Sequence, residues 1–330
     1  MPGKRAEDEL SGRPRRALTQ REVPLGPMTT LGIGGPCRAL VHAASAEDVQ
    51  SALQQARRES LPVLYLGAGS NVLFDDDGFS GLVIRNEMRG VEVQGTEVEV
   101  AGGHDLGELI RLLNSRGLAG MERMYGIPGT VAGAVVGNAG AYGQEISERL
   151  LQAEILENGQ RRRLDARQLG FAYRHSRFKE NPGWFLLTCR LRLERGQDDL
   201  QRISDDILSQ RTQKYPPHLR CPGSFFKNLP LRDIPAESVR RMPESYVHYG
   251  KVPAGVLLEA VGAKGARLGD AAIAGYHGNL FFNAGGATSR DMRGLARHWA
   301  ARVEERFGLQ LEEEIRIVGK DGPANVPCPP

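Results

Sequence analysis

From residue 126 to residue 143 the chain reads Gly-Ile-Pro-Gly-Thr-Val-Ala-Gly-Ala-Val-Val-Gly-Asn-Ala-Gly-Ala-Tyr-Gly, with a glycine at every third or fourth position. Such a run offers too little apolar area to build a core. Each glycine in regular structure also costs roughly 0.5–1 kcal/mol relative to alanine. A chain keeps them where the backbone turns at positive φ, or where something large lies flat against bare main chain. Gly126, Pro128, Gly129, Thr130, Gly133, Asn138 and Ala139 are therefore candidate contacts for a flat cofactor with polar edges. Thr130, Asn138 and the N–H groups of Gly129, Gly133 and Ala139 are the expected donors. The competing reading is a glycine-rich turn between strands.

A second cluster, Gly67-Ala68-Gly69-Ser70-Asn71, follows the apolar run Val63–Leu66. Small residues directly after a strand leave consecutive N–H groups free, and these cradle anions such as a pyrophosphate. Gly67, Gly69, Ser70 and Asn71 are the candidates. Val72 stands where a dinucleotide fingerprint needs glycine, and Leu-Phe-Asp-Asp-Asp-Gly cannot continue as a helix. A plain turn explains this cluster equally well. Ser224 sits on a glycine-preceded turn beside Phe225 and Phe226, where ordinary turn chemistry suffices. Glu314 alternates with apolar residues, as on a solvated strand face.

The chain has 330 residues and a net charge of +3 with mixed signs, so two or three domains fit and no nucleic-acid partner is implied. Cys37, Cys189, Cys221 and Cys328 are far apart, which argues against a metal site or a disulfide framework and for a reducing, cytoplasmic compartment. No apolar run reaches the ~20 residues that span a bilayer. Arg15-Arg16 is followed by Ala-Leu-Thr-Gln, which is no signal-peptide core. Residues 1–20 and 320–330 read as tails.

The positioning elements follow. Ser45 with Asp48 resembles a capping box ahead of a helix that buries Val49, Ala52, Leu53 and Ala56. Val91–Val100 alternates about Gly95-Thr96 as a hairpin, and residues 153–164 fold about Asn158-Gly159. A helix starts at Asp105, with Leu106, Leu109, Ile110 and Leu113 inward, and Gly117 ends it. Further elements are a strand over 184–193, a helix over 204–213 stopped by Pro216-Pro217, and a helix over 254–261. The last helix follows Thr288-Ser289, with Met292, Leu295, Ala296, Trp299 and Val303 buried, and Gly308 closes it. Residues 309–318 read as a strand. Hairpins come early and helices are interleaved later, so the class is α+β and not one doubly wound sheet.

In order, Thr30–Gly35, Leu66–Asn71, Gly126–Ala134, Asn138–Gly143, Tyr173-Arg-x-Ser-x-Phe178, Gly223–Asn228 and Glu314–Gly319 resemble the UDP-N-acetylenolpyruvoylglucosamine reductase family. The resemblance implies a two-part FAD-binding region of the vanillyl-alcohol-oxidase/PCMH type (residues 21–84 and 85–212) and a separate α+β substrate domain (213–319). It implies non-covalent FAD, NADPH as co-substrate, a UDP-sugar substrate and a monomer. The expected reaction reduces the enolpyruvyl ether of UDP-N-acetylglucosamine to UDP-N-acetylmuramate for peptidoglycan.

The family's catalytic arginine, proton-donating serine and glutamate fall on Arg174, Ser224 and Glu314. Lys227 is a candidate to assist the serine. Asn228, Lys251 and, more weakly, Tyr173 match substrate-binding positions, while His277 and Asn279 match without an assigned role. Ala132 replaces a usual glycine and would be strained if φ were positive there. The Arg174-to-Ser224 spacing is similar to the family's shorter subtype, and residues 229–250 are long enough to form a lid. Alcohol oxidation in the same broad fold, with His104 as a covalent anchor, would explain the glycine clusters but not the segments around Ser224 and Glu314.

Overall fold

The computed structural model describes residues 19–196 and 199–323; of the expected tail over 1–20, residues 1–18 lie outside them, as does Cys328, while Gln20 already opens a strand. The first sheet is built from β1 (Gln20–Pro24), β2 (Pro36–Ala43), β3 (Val63–Leu66) and β5 (Phe79–Asn86), in the order β1-β2-β5-β3; β4 (Val72–Phe74) leaves it. β2 and β3 both run parallel to β5. That requires a crossover, which α1 (Ala46–Glu59) supplies. Its expected capping box is present: Ser45 Oγ accepts from Asp48 N at 3.1 Å, and Asp48 Oδ2 accepts from Ser45 N at 3.0 Å. Val49, Ala52 and Ala56 bury against Val41, Leu82 and Ile84. The cluster Gly67–Asn71 thus sits at the carboxyl end of a parallel strand, where open α/β sheets bind ligands.

The second sheet is antiparallel. β6 (Val91–Gln94) and β7 (Glu97–Ala101) form one edge, followed by Trp184–Arg192, Leu150–Glu157 and Gln160–Asp165. Asn158 at φ 53° and Gly159 at φ 85° make the two-residue left-handed turn that the pair predicts. α2 (Leu106–Ser115) packs on this sheet, with Leu106, Leu109, Ile110 and Leu113 buried. Inside the glycine-rich run the structure has a short helix, α3 (Val131–Gly137), capped by Thr130 and ended by Asn138 at φ 44°. Val131, Ala134 and Val135 give it a buried face. Ala132 lies within it, outside the positive-φ region, so the extra methyl brings no backbone strain. α4 (Leu200–Lys214) begins four residues before the expected helix, because Asp199 accepts from Arg202 N at 3.1 Å and caps it.

The third unit gathers Phe225, Phe226 and Phe281 against α5 (Ala236–Val239), α6 (Ala254–Ala260) and α7 (Ser289–Phe307). Residues 229–250 do not hang free. Tyr246 lies 6.4 Å from the Phe307 ring, and Ile234 is buried. Two expectations change at the C-terminus. The strand reduces to Arg316–Gly319, which pairs parallel with β4 in a small sheet of its own, while Ile315 and Ile317 pack with Phe225 and Phe226 in the third unit's core. The expected tail after 319 turns back, and Gly322–Pro323 pairs with that strand. A further tie is Asp76, whose carboxylate accepts from Ser289 N at 2.7 Å and Arg290 N at 3.1 Å, where α7 leaves N–H groups without helical partners. No helix among the described residues is long and apolar enough to cross a membrane.

His277 gives this third unit a pH signature. Its Nδ1 accepts from Asn279 N at 3.0 Å, and burial pushes its pKa down to about 4. The unfolded chain takes up this proton from about pH 6.5 downward, whereas the fold resists until about pH 4. Stability should therefore fall as pH drops through that window. Melting temperatures of the wild type and His277→Asn, compared across it, should show a shallower acid slope in the variant. Equal slopes would refute this assignment.

Candidate active site

Arg174 sits in the loop between Leu169 and Trp184 and is one of the few non-glycine residues at positive φ, 55°. Such a backbone costs on the order of 1–3 kcal/mol and persists only where its surroundings fix it. Here Lys179 Nζ donates to Arg174 O at 2.7 Å. Burial, with Lys227 nearby, pushes the Lys179 pKa down to about 8. The guanidinium is held from three sides. Nη2 donates to Gly140 O at 2.9 Å and Nη1 to Asn138 O at 3.4 Å, while Nε stands 2.8 Å from Glu314 Oε1. That last contact is an ion pair and not an aligned hydrogen bond, since the buried Nε–H points at no acceptor. Arg174 and Glu314 keep 24% and 21% of their side chains exposed, so the pair borders open space.

Glu314 is thus no solvated strand position. Its N–H donates to Phe225 O at 2.8 Å, which sets it beside the Ser224 segment. Asn279, 1% exposed, staples that segment: its Oδ1 accepts from Phe226 N at 2.9 Å and its Nδ2 donates to Phe226 O at 2.8 Å. Ser224 follows Gly223, whose φ of 89° makes the turn and whose missing Cβ would meet nothing within 4 Å. The Ser224 hydroxyl lies 3.1 Å from the Tyr215 hydroxyl. The ammonium of Lys227, the expected assistant, pairs with Glu312. Arg174 and Glu314 therefore meet side chain to side chain, and the main chain next to Ser224 is bonded to Glu314.

The three expected substrate contacts also meet. Lys251 Nζ lies 3.6 Å above the Tyr173 ring centroid. The Tyr173 phenol reaches the Asn228 main chain, and its pKa is raised chiefly by burial. Asn228 Oδ1 accepts from Ala254 N at 3.2 Å, which closes the start of α6.

The two glycine clusters abut. Ser70 Oγ donates to Pro128 O at 3.0 Å, and a Cβ on Gly67 would come within 2.6 Å of Thr130 Oγ1. Gly69 at φ 70° would collide with Met28 O, and Gly126 at φ 80° and Gly129 at φ 132° also need glycine's freedom.

Several expected donors are already used inside the protein. Ser70 is one; an amide hydrogen of Asn71 goes to Glu314 O at 3.0 Å. Thr130 Oγ1 and Gly133 N bond each other, and Ala139 N donates to Ala134 O. Asn138 spends its amide on Glu145 and Ala172 O. Ser70, Asn138 and the Gly133 and Ala139 N–H groups thus spend their donors building the cradle, whereas Thr130 Oγ1 acts there as an acceptor and Asn71 uses one of its two amide hydrogens. What remains is bare main chain. A Cβ on Gly133 would touch only Thr130 Oγ1, at 3.6 Å, and one on Gly137 nothing. Among the described residues none accepts from the buried Gly69 N–H or from those of Ala68 and Ser70. Open glycine surface beside unsatisfied N–H groups suits a flat ring with an anionic tail.

Three further residues border the site without having been expected. Arg211, in the last turn of α4, is half-buried beside Gly126, with its buried Nε unpaired among the described residues. Tyr215 and Lys179 reach Ser224 and Arg174 O over short irregular loops, and their local sequence carries no signal beyond a helix end and a loop.

A family model described as FAD binding domain matches residues 37–164. One described as UDP-N-acetylenolpyruvoylglucosamine reductase, C-terminal domain, matches residues 215–318. A protein of Solibacter usitatus named UDP-N-acetylenolpyruvoylglucosamine reductase is 39% identical over 94% of this chain and 99% of its own length. One of the same name from Rubrobacter xylanophilus is 38% identical over 90% and 94%. The crystal structure of UDP-N-acetylenolpyruvylglucosamine reductase from Thermus caldophilus superposes with a TM-score of 0.72 at 30% identity, covering 92% of this chain and 98% of that one.

Proposed function

Because the chain belongs to the UDP-N-acetylenolpyruvoylglucosamine reductase family, with the two-part FAD-binding fold of the vanillyl-alcohol-oxidase/PCMH type, we propose that it converts UDP-N-acetylglucosamine enolpyruvate into UDP-N-acetylmuramate for peptidoglycan, with NADPH as reductant. The observation that supports this reading is the Arg174–Glu314 pair beside the glycine-rich run, with the segment that carries Ser224 bonded to Glu314 through Phe225 O.

Gly67, Gly69, Gly126, Gly129 and Gly133 would hold FAD, non-covalently, against bare main chain. When bound, FAD supplies a hydride to C3 of the enolpyruvyl group. The chain's own residues handle the charge that follows. Negative charge collects at C2 and on the substrate carboxylate, and the Arg174 guanidinium, held in place beforehand, would face it. Glu314 fixes the guanidinium's direction. Ser224 delivers the proton to C2. Lys251, Asn228 and Tyr173 hold the sugar nucleotide, with the ammonium as its anion contact.

The test is product formation. Incubation with NADPH and the enolpyruvyl sugar nucleotide should yield UDP-N-acetylmuramate, one for each NADPH oxidised, with or without oxygen. NADPH consumption that needs oxygen and gives no muramate would overturn the reading.

A further inference from the structure

Donating a proton from Ser224 has a physical difficulty: an alkyl hydroxyl is a very weak acid, and the alkoxide left behind needs relief. The structure puts Tyr215 at this point. Its phenol oxygen is 3.1 Å from Ser224 Oγ, and the contact is partly buried. The residue ends α4, with its N–H on Arg211 O at 2.7 Å, so its position is fixed by the helix end and by Pro216. Arg211 lies 5.6 Å and Lys214 Nζ 5.1 Å from the ring centroid.

A serine hydroxyl has one hydrogen. If it pointed to Tyr215, it could not serve the substrate. A phenol is a far stronger acid than an alkyl alcohol, so the tyrosine is the better donor of the two.

We propose that Tyr215 is a positioning and proton-relay residue for this reaction: its O–H donates to Ser224 Oγ, turns the serine's hydrogen toward substrate C2, and refills it. The step balances. The Ser224 O–H bond breaks as the electron pair at C2 forms the new C–H bond. The Tyr215 O–H bond breaks as Ser224 regains its hydrogen. The negative charge thereby passes from the substrate to the phenol oxygen, beside Arg211 and Lys214, and solvent returns one proton to Tyr215. The relay rests on the reading of Ser224 as proton donor.

Tyr215→Phe keeps the ring and both cation contacts and removes only the hydroxyl. Anaerobic flavin reduction by NADPH and reoxidation by the enolpyruvyl sugar nucleotide are measured separately, in H2O and D2O, for the wild type, Tyr215→Phe, Ser224→Ala and the double variant. The relay predicts unchanged reduction in all four. In Tyr215→Phe it predicts reoxidation slower by about 10- to 100-fold, with an altered solvent isotope effect. The double variant should be no slower than Ser224→Ala, because the tyrosine acts through the serine. Reoxidation of Tyr215→Phe within twofold of the wild type would overturn the relay if Ser224→Ala is slow, as would slowing in the double variant equal to the product of the two single effects. A fast Ser224→Ala would instead remove the serine reading itself.

Discussion

Arg174→Met should remain folded and yellow and be reduced by NADPH at the wild-type rate, while its reoxidation by the enolpyruvyl sugar nucleotide falls by about 10²–10³-fold or more. Methionine keeps the apolar stem and removes the charge that faces the developing enolate. The loss is confined to the oxidative half because reduction of the cofactor develops no charge on the sugar nucleotide. Some stability is lost as well. Glu314 loses its only ion-pair partner among the described residues, and Gly140 O and Asn138 O lose a donor. Buried groups left unpaired cost about 1–3 kcal/mol each, but the quarter-exposed cleft admits water and softens this. Arg174→Lys should rescue little. One ammonium cannot reach Gly140 O, Asn138 O and Glu314 together, and it lacks the planar fork. Stopped-flow rates of the two half-reactions, with FAD content and melting temperature as controls, check this prediction.

Gly133→Leu should behave in the opposite way: a sound fold that no longer holds its cofactor. Gly133 is exposed in the first turn of α3, and a Cβ there meets only Thr130 Oγ1 at an ordinary 3.6 Å. Nothing in the protein requires glycine at this position, since its φ is not positive. Replacing it inside a helix should raise stability, by up to about 1 kcal/mol. A leucine would instead occupy the open face on which the isoalloxazine or its pyrophosphate is expected to lie. FAD affinity, measured by fluorescence quenching of added FAD, should fall by about 100-fold or more, which is roughly 3 kcal/mol, with the melting temperature of the apoprotein unchanged or higher. A yellow variant of wild-type affinity would move the cofactor away from α3.

These two residues also mark where sequence reasoning succeeded and where it stopped. Local devices were legible because their partners are a few residues apart: the Ser45–Asp48 cap, the start of the last helix after Thr288, the Asn158-Gly159 turn and the inward face of α2 all follow from spacing. α3 was not legible, since three small or β-branched residues over two turns barely register as a helical face. The donors of Ser70, Asn71 and Asn138 looked available in sequence but are committed to Pro128, Glu314, Glu145 and Ala172, partners that only tertiary structure supplies. Nothing local announces the parallel pairing of Arg316–Gly319 with β4, which only tertiary structure supplies. Arg174, Ser224 and Glu314 were found through family resemblance; residue types alone gave Ser224 as a turn and Glu314 as a solvated charge. Tyr215 and Lys179 carried no signal, because each reaches its partner, Ser224 or Arg174 O, over an irregular loop whose path no local pattern announces.

The most direct measurement joins cradle and cluster in one anaerobic cuvette. NADPH is added to the FAD-loaded protein, and then the enolpyruvyl sugar nucleotide. The wild type should bleach and then recover its yellow colour with one UDP-N-acetylmuramate formed per flavin, while Arg174→Met should bleach and stay bleached over the same interval. Wild-type protein that never bleaches, or an Arg174→Met variant that recovers as fast as the wild type, would contradict the assignment of this cleft.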